Sequence, residues 1–397
     1  MSLSDHFEQL ASDLESRLGS ESLPTAAAAA LQSFLATNPI TPSDVLTWVA
    51  NATTLPRQED LEASFGEPPI TVLNRPEFYI QVLFWRDGTT RIHQHAFSGA
   101  FAVLSGSSIH VTYSFAPEIV VSEHFMTGRL QHENTEYLRT GDCREIVGGT
   151  EFIHSVFHLD SPTVSIVVRN HSDQNATTQL AYSPTVALDL FERSADYVRK
   201  RQVLDLVCEE ENADELLAAM IASSSLCSSY LLLEQVARRR GRIGAISELL
   251  AHAQSVHGNV VQAFAESLTE MLRVENIVER RKAIRNPEHR RILALLLTVP
   301  NRQTILALLT TIEPSPDPVS TLVQALREMR SLPAPSQWGP NALGLDLDDD
   351  ALAFIERVLR GASVDAAAEL CEDPLRGQML ALQLPLASIL KPLFRAS

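Results

Sequence analysis

Between residues 68 and 171 the chain is a succession of short β-branched and aromatic runs, each ended by turn residues, and no other stretch has that texture. The runs are ITVLN, EFYIQVLFW, AFAVLSG, SIHVTYSF, EIVVSEHF, RLQHENTEYLR, REIVGG and TVSIVVR. Turns at Asp87-Gly88, Gly106-Ser107, Gly141-Asp142 and Gly148-Gly149 punctuate them. Many short strands with regular punctuation predict a sandwich or a barrel. In SIHVTYSF the alternation puts Ile109, Val111, Tyr113 and Phe115 on one face and His110, Thr112 and Ser114 on the other.

The flanks read as helix. Leu10, Leu14 and Leu18 repeat at helical spacing, a second helix follows Pro24, and a third opens at Thr41 or Ser43. From about residue 185 Leu, Ala and charged residues dominate, in runs such as SYLLLEQVARRRGR and PEHRRILALLLTV. Prolines at 300, 314, 316, 318, 333, 335 and 340 interrupt them, and no fixed repeat period emerges. The expected organisation is α+β: N-terminal helices over 1–55, a barrel over 56–175 and a large all-α region over 185–397. Ser331–Pro340 reads as a linker before a small final helical unit, 341–397.

Composition narrows the function classes. A 397-residue chain with 45% hydrophobic and 20% charged residues is an ordinary globular protein of two or three domains. A net charge of −17 argues against nucleic acid, whose binders need a basic surface to displace phosphate counterions. No basic segment precedes an apolar one at the N-terminus, and no apolar run is long enough to span a membrane. Cys143, Cys208, Cys227 and Cys371 lie far apart and form no CxxC pair, so reduced thiols and a cytoplasmic location are expected.

The segment WRDGTTRIHQHAFSGAFAVLSG carries the chemistry. His93 and His95 are two residues apart, which on a strand points both imidazoles to one face, close enough to share a cation. Arg91 would share that face. A third histidine, His154, follows the Gly148-Gly149 turn, and His158 comes four residues later. Neutral imidazoles hold Fe(II), Mn, Ni, Cu or Zn, and three protein ligands leave the open positions that a catalytic metal requires. A single His-x-His pair arises by chance in a chain with 12 histidines. The ordered series of Gly turn, His-x-His, Gly, hairpins, Gly turn and His is a much more specific signal.

That order resembles the two motifs of the cupin superfamily, a double-stranded β-barrel of the jelly-roll kind. Within it the likeness is to the cysteine dioxygenase group of thiol dioxygenases. The first motif is matched by Trp85, Gly88, Ile92-His93-Gln94-His95 and Leu104-Ser105-Gly106, and the second by Leu138-Arg139, Cys143, Gly148-Gly149, His154 and Pro162-Thr163-Val164-Ser165. It covers about a hundred residues and implies a mononuclear Fe(II) centre held by His93, His95 and His154.

The departures bear on substrate. Most cupins place a Glu four or five residues after the second His, where this chain has Gly99 and Ala100. Ala100 also cannot form the Cys–Tyr cross-link of some thiol dioxygenases. The catalytic His and Tyr that the group places after its Pro-x-Val-Ser strand fall on Val167 and Arg169. Free cysteine is therefore not the expected substrate. The group's carboxylate-binding Arg has its nearest counterpart in Arg75, at a shorter spacing.

The resulting expectation is a non-heme Fe(II), O2-dependent oxygenase acting on a small anionic or thiol-containing substrate. His158 and Arg91 are the candidate catalytic groups, and Arg75, Arg169 and His110 the candidate substrate-binding groups. For His158 a structural hydrogen bond is the competing account, and for Arg91 a cap on the barrel mouth. The alternative is a non-oxidative cupin (isomerase, hydrolase or small-molecule sensor) using zinc or manganese; a scaffold whose barrel has lost its chemistry is disfavoured by the three histidines. The helical region would close the mouth or form a homodimer interface. Its basic clusters, Arg238-Arg239-Arg240-Gly241-Arg242 and Glu279-Arg280-Arg281-Lys282, read as solvated faces or salt bridges, and Asp346–Asp350 as a helix N-cap. No P-loop, GxSxG, HExxH or dinucleotide-binding motif is present.

Overall fold

Period-two alternation decides the architecture in the computed structural model, which describes residues 2–61, 65–86, 89–173, 178–189, 191–207, 213–312, 317–334 and 340–395. The Asp87-Gly88 turn, Cys208, Pro314, Pro316 and positions 335–339 of the expected linker lie outside the described residues. The strands are β1 (Pro69–Asn74), β2 (Tyr79–Trp85), β3 (Ile92–His95), β4 (Gly99–Ser105), β5 (Ser107–Ser122), β6 (Phe125–Arg139), β7 (Cys143–Ile146), β8 (Gly149–His158), β9 (Thr163–Arg169), β10 (Leu180–Tyr182) and β11 (Val186–Asp189). They form a five-stranded sheet, β1-β2-β9-β4-β7, and a closed antiparallel barrel, β10-β11-β6-β5-β8-β3.

Three N-terminal helices cover one face of the five-stranded sheet: α1 (Leu3–Arg17), α2 (Leu23–Thr37) and α3 (Pro42–Asn51). Capping boxes at Ser2/Asp5 and Thr41/Asp44 satisfy the first amides of α1 and α3. Phe7, Leu10, Leu14, Leu31 and Phe34 pack on Ile80 and Val82 of β2, Ala100 and Ala102 of β4, and Val164, Ile166 and Val168 of β9. The intervening residues, among them Leu83, Trp85, Phe101, Val103, Val167 and Arg169, line a cavity on the opposite face. Alternation thus turns Ala100 outward and Arg169 inward.

Two sequence-level expectations change. SIHVTYSF and the EIVVS part of EIVVSEHF are one strand, β5, whose pairing with β6 shifts register between Pro117 and Ile119, while Phe125 already opens β6. The barrel does not end at residue 175, because β10 and β11 close it, with β10 paired to β3. Those two strands are only three and four residues long, too short to show alternation.

Among the described residues eleven α-helices follow, α4 to α14, beginning with Ala195–Val207 and ending with Pro374–Gln383. They share cores with the barrel. Phe125, Val186 and Leu188 pack among Tyr197, Leu231 and Phe264. Ile109, Val111, Phe157 and Leu159 pack in a core that runs through Leu293 and Leu326 to Leu352, Phe354 and Leu393. Residues 341–397 therefore have no separate core. Asp348 caps α12 (Asp349–Leu359) by accepting from the Ala351 amide, as the acidic run predicts. Arg238, Arg239 and Arg240 pair with Glu234 and Glu275, with Asp205 and with Asp214. Arg280 and Arg281 differ from expectation, being buried rather than solvated. No helix among the described residues is long and apolar enough to cross a membrane.

Strands β4 and β9 approach so closely at Gly99 that a Cβ there would collide with the Val168 carbonyl oxygen. Gly99→Ala should therefore lower the unfolding free energy by about 1–3 kcal/mol, the usual cost of overpacking. Denaturant titration at neutral pH reads this directly, and a change below about 0.5 kcal/mol would contradict the close approach.

Candidate metal centre

Three elements bring the histidines together. His93 and His95 project from β3 to the same side, and β3 pairs with β8 in a register that sets His93 opposite His154. One potential ligand nitrogen from each of the three lies within 4.8 Å of those of the other two. All three side chains are buried.

The hydrogen bonds say which nitrogens face the centre. His93 Nδ1 is 2.7 Å from the Arg91 carbonyl oxygen, which can only accept, so the proton sits on Nδ1. His93 Nε2 is left as a buried lone pair with no partner. His154 Nδ1 is 3.0 Å from His110 Nε2, which frees His154 Nε2. His95 Nε2 lies 2.9 Å from His154 Nε2, and its Nδ1 has no partner. Two nitrogens that share one ion at about 2.1 Å sit about 3 Å apart, so this pair is spaced for a common cation. Burial holds His93 down to about 4 and, with mutual repulsion, His95 and His154 well below the usual imidazole range. Buried, neutral imidazoles with an orphaned nitrogen fit a divalent metal.

The cluster opens on a cavity of 200 Å³ between the five-stranded sheet and the β3–β8–β5 wall. Two of its other polar groups, His158 and Arg169, carry nitrogens with no hydrogen-bond partner among the described residues. His158 stacks on Trp85, with ring centroids 4.5 Å apart, and its Nδ1 is 3.0 Å from Ser108 Oγ. Its Nε2 is buried without a partner, and burial, reinforced by Arg281, holds the ring down to about 3. The Arg169 guanidinium carbon lies 3.6 Å from the Phe97 ring centroid. Asp60 approaches its Nη1 at 3.5 Å, while its Nε has no hydrogen-bond partner among the described residues.

The other candidates stand elsewhere. Arg91 lends the site only its carbonyl. It precedes β3 and its half-exposed side chain lies outside the cavity, in a 700 Å³ groove between barrel and helices, 3.7 Å from Glu234. The face-sharing expected from alternation fails because the strand begins at Ile92. Arg75 is bound to Glu8 and Glu15 of α1, also away from the cavity. His110 does not line the cavity; it backs His154, so it touches a candidate ligand rather than substrate.

Two residues escaped the sequence reading. Glu136 sits directly across from His110 in the β5–β6 register, and its Oε1 is 2.8 Å from His110 Nδ1. Arg144 on β7 grips both oxygens of that carboxylate. Burial alone would raise Glu136, but the hydrogen bonds from Arg144 and His110 outweigh it and hold it at about 2. Only strand pairing reveals this contact, since the two residues are 26 positions apart.

No protein-family model matches the sequence, and no curated protein does. Among solved structures, the DMSP lyase DddQ from Ruegeria pomeroyi is similar at 14% identity, covering 41% of this chain and 79% of its own, with a TM-score of 0.24. An oxalate oxidase structure is similar at 14% identity, covering 44% of this chain and 81% of its own, with a TM-score of 0.22. Overlaps this low carry no argument about chemistry, and the cluster stands on its own geometry.

The buried histidines set an acid response. Their folded pKa values lie below the unfolded value near 6.5, so below that pH the unfolded chain binds more protons. In the metal-free protein, unfolding free energy should fall between pH 6.5 and about 4.5, by up to about 1.4 kcal/mol per pH unit for each such histidine. His158→Gln should remove about one histidine's share of that slope. Denaturant curves across this window that show no pH dependence would contradict the neutral, buried state.

Proposed function

We propose that the chain is a cupin-type metalloenzyme: a mononuclear non-heme Fe(II), O2-dependent oxygenase for a small anionic or thiol-containing substrate other than free cysteine. One observation carries the reading. Three neutral, buried imidazoles converge on a small cavity whose only cationic side chain among the described residues is Arg169, and that guanidinium has an unused donor.

His93, His95 and His154 would hold the metal through Nε2. Bound there, Fe(II) would supply a redox-active Lewis acid at which an anionic substrate and O2 can meet. Three neutral ligands leave its charge uncompensated, which favours a thiolate, enolate or carboxylate. The absence of a carboxylate ligand has a steric basis, since Gly99 has no room for a side chain and Ala100 faces the helices.

Arg169 would anchor the substrate's carboxylate, standing where thiol dioxygenases carry a Tyr. A charge-assisted hydrogen bond from a buried guanidinium fixes orientation as well as affinity. In the tautomer whose Nδ1–H donates to Ser108 Oγ, His158 would present a Nε2 lone pair to the cavity and could take a proton from a thiol or an enolisable C–H. Phe65, Trp85, Phe97 and Phe101 exclude bulk water, which strengthens both interactions. At 200 Å³ the cavity lies below the usual range for drug-sized ligands, which favours a small substrate.

Metal analysis of anaerobically purified protein, beside a His93→Ala, His154→Ala double variant, tests the centre. About one iron per chain in the parent, lost in the variant and accompanied by substrate-dependent O2 uptake in a screen of thiols and enolisable acids, is the expected result. Zinc or manganese at that stoichiometry without O2 uptake would move the assignment to a non-oxidative cupin. No metal in either protein would end it. With a substrate in hand, Arg169→Gln should raise KM by about 10–100-fold, the loss of one charge-assisted hydrogen bond, with a smaller effect on kcat.

A further inference from the structure

With His110 neutral, the hydrogen bonds behind His154 form a line with only one self-consistent direction. Arg144 has donors and no acceptor, and it holds both oxygens of Glu136. Glu136 is thereby kept ionised and can only accept. His110 Nδ1, 2.8 Å away, must donate to it. A neutral His110 then has only a lone pair on Nε2, and His154 Nδ1, at 3.0 Å, must donate to that. His154 Nε2 is left as a lone pair aimed at the cluster. The rings of Phe101 and Phe152, with centroids 5.7 and 5.9 Å from that of His110, wall the line, and His110 itself is buried.

We propose that Arg144, Glu136 and His110 are positioning residues that lock His154 in its metal-binding tautomer and ring orientation, a three-residue support reaching from the cluster to the edge of the five-stranded sheet. The proposal rests on the reading of His93, His95 and His154 as metal ligands. A hydrogen-bond partner on the remote nitrogen of a ligating histidine raises affinity by fixing which nitrogen is free. Here the partner is itself a histidine, which could point either way, so the carboxylate two steps back sets the direction and Arg144 keeps that carboxylate charged.

The support is unequal across the cluster. His93 is locked by the Arg91 carbonyl and His154 by this line, but among the described residues His95 Nδ1 has no partner. In the metal-free protein His95 Nε2–H donates to His154 Nε2 across the 2.9 Å gap. To bind a metal through Nε2, His95 must move that proton to Nδ1. Two ligands are thus preset and one adapts.

Long-range ¹H–¹⁵N spectra of the imidazoles test the direction without metal, and Zn(II) titration against a competing chelator tests its consequence. In the parent, His154 should be protonated on Nδ1. His110→Phe removes the acceptor, and Glu136→Gln replaces an acceptor-only group with an amide that can also donate. Both should leave His154 with mixed tautomers and weaken Zn(II) binding by about 10–100-fold, the usual effect of losing such support. A His154 proton on Nε2 in the parent overturns the proposal, as do Zn(II) affinities within twofold of the parent in both folded variants. His93→Ala separates the two readings. If the parent binds no Zn(II) more tightly than His93→Ala does, the ligand assignment fails and the metal role of the line fails with it, whatever the tautomer. If His93→Ala alone weakens binding, the ligands stand and the positioning role is refuted.

Discussion

Imidazoles in a dry barrel must be neutral, and a neutral imidazole needs one donor and one acceptor relation satisfied. That constraint organises the centre of this molecule. A charged His93, His95 or His154 would face desolvation with no counter-charge in contact, so burial keeps them unprotonated. Each remote nitrogen then needs a partner or remains an orphan. The Arg91 carbonyl serves His93, and the line through His110 to Glu136 serves His154. Among the described residues His93 Nε2 and His95 Nδ1 are left over without a partner, which a folded chain tolerates only at a cost; a cation shared by the cluster would relieve the first of them.

The helical half takes part in this arrangement. Helix α8 (Gln262–Ala283) carries Arg281 into the barrel wall, where it donates to Thr89 Oγ1 at 2.8 Å and to the His158 carbonyl. Its guanidinium lies 4.6 Å from the Phe157 ring centroid. One buried arginine therefore ties the approach to β3 and the end of β8, the two strands that carry the cluster. Burying a guanidinium is costly unless its donors are met, so the contact is a demanding one that ties helix position to strand position. The shared cores around Ile109, Phe157 and Leu188 make the same connection in apolar terms.

What the sequence made legible was whatever depends on local period. The N-terminal helices, the β texture, the His-x-His face and the inward His154 all follow from spacing. So did the capping role of Asp348. What it concealed depends on pairing. Glu136 becomes a partner of His110 only when β5 lies against β6, and Arg281 becomes a buried tie only when α8 meets the barrel. Arg91 shows the complementary failure, because alternation was extended one residue past the start of the strand. The two closing strands were missed because three or four residues cannot display a period.

Arg169 joins the two halves of the argument. It lies on a strand whose other face is apolar and packed on helices, so its inward direction is forced by the same alternation that points Val164, Ile166 and Val168 away. A buried guanidinium beside three neutral imidazoles adds positive potential to the cavity before any metal arrives, and after burial and the neighbouring His93 it is the third push that lowers His95. A divalent cation adds to that charge. With such a cation bound, the site would present two positive centres in an aromatic enclosure, with Asp60, 3.5 Å from one guanidinium nitrogen, and Glu59 as partial offsets among the described residues. Such a cavity discriminates by charge first. A small anion bridging Arg169 and the cluster neutralises both, whereas a neutral or cationic molecule leaves the repulsion in place. The proposal of an anionic substrate therefore rests on the protein side of the site, whichever divalent metal the three histidines would hold.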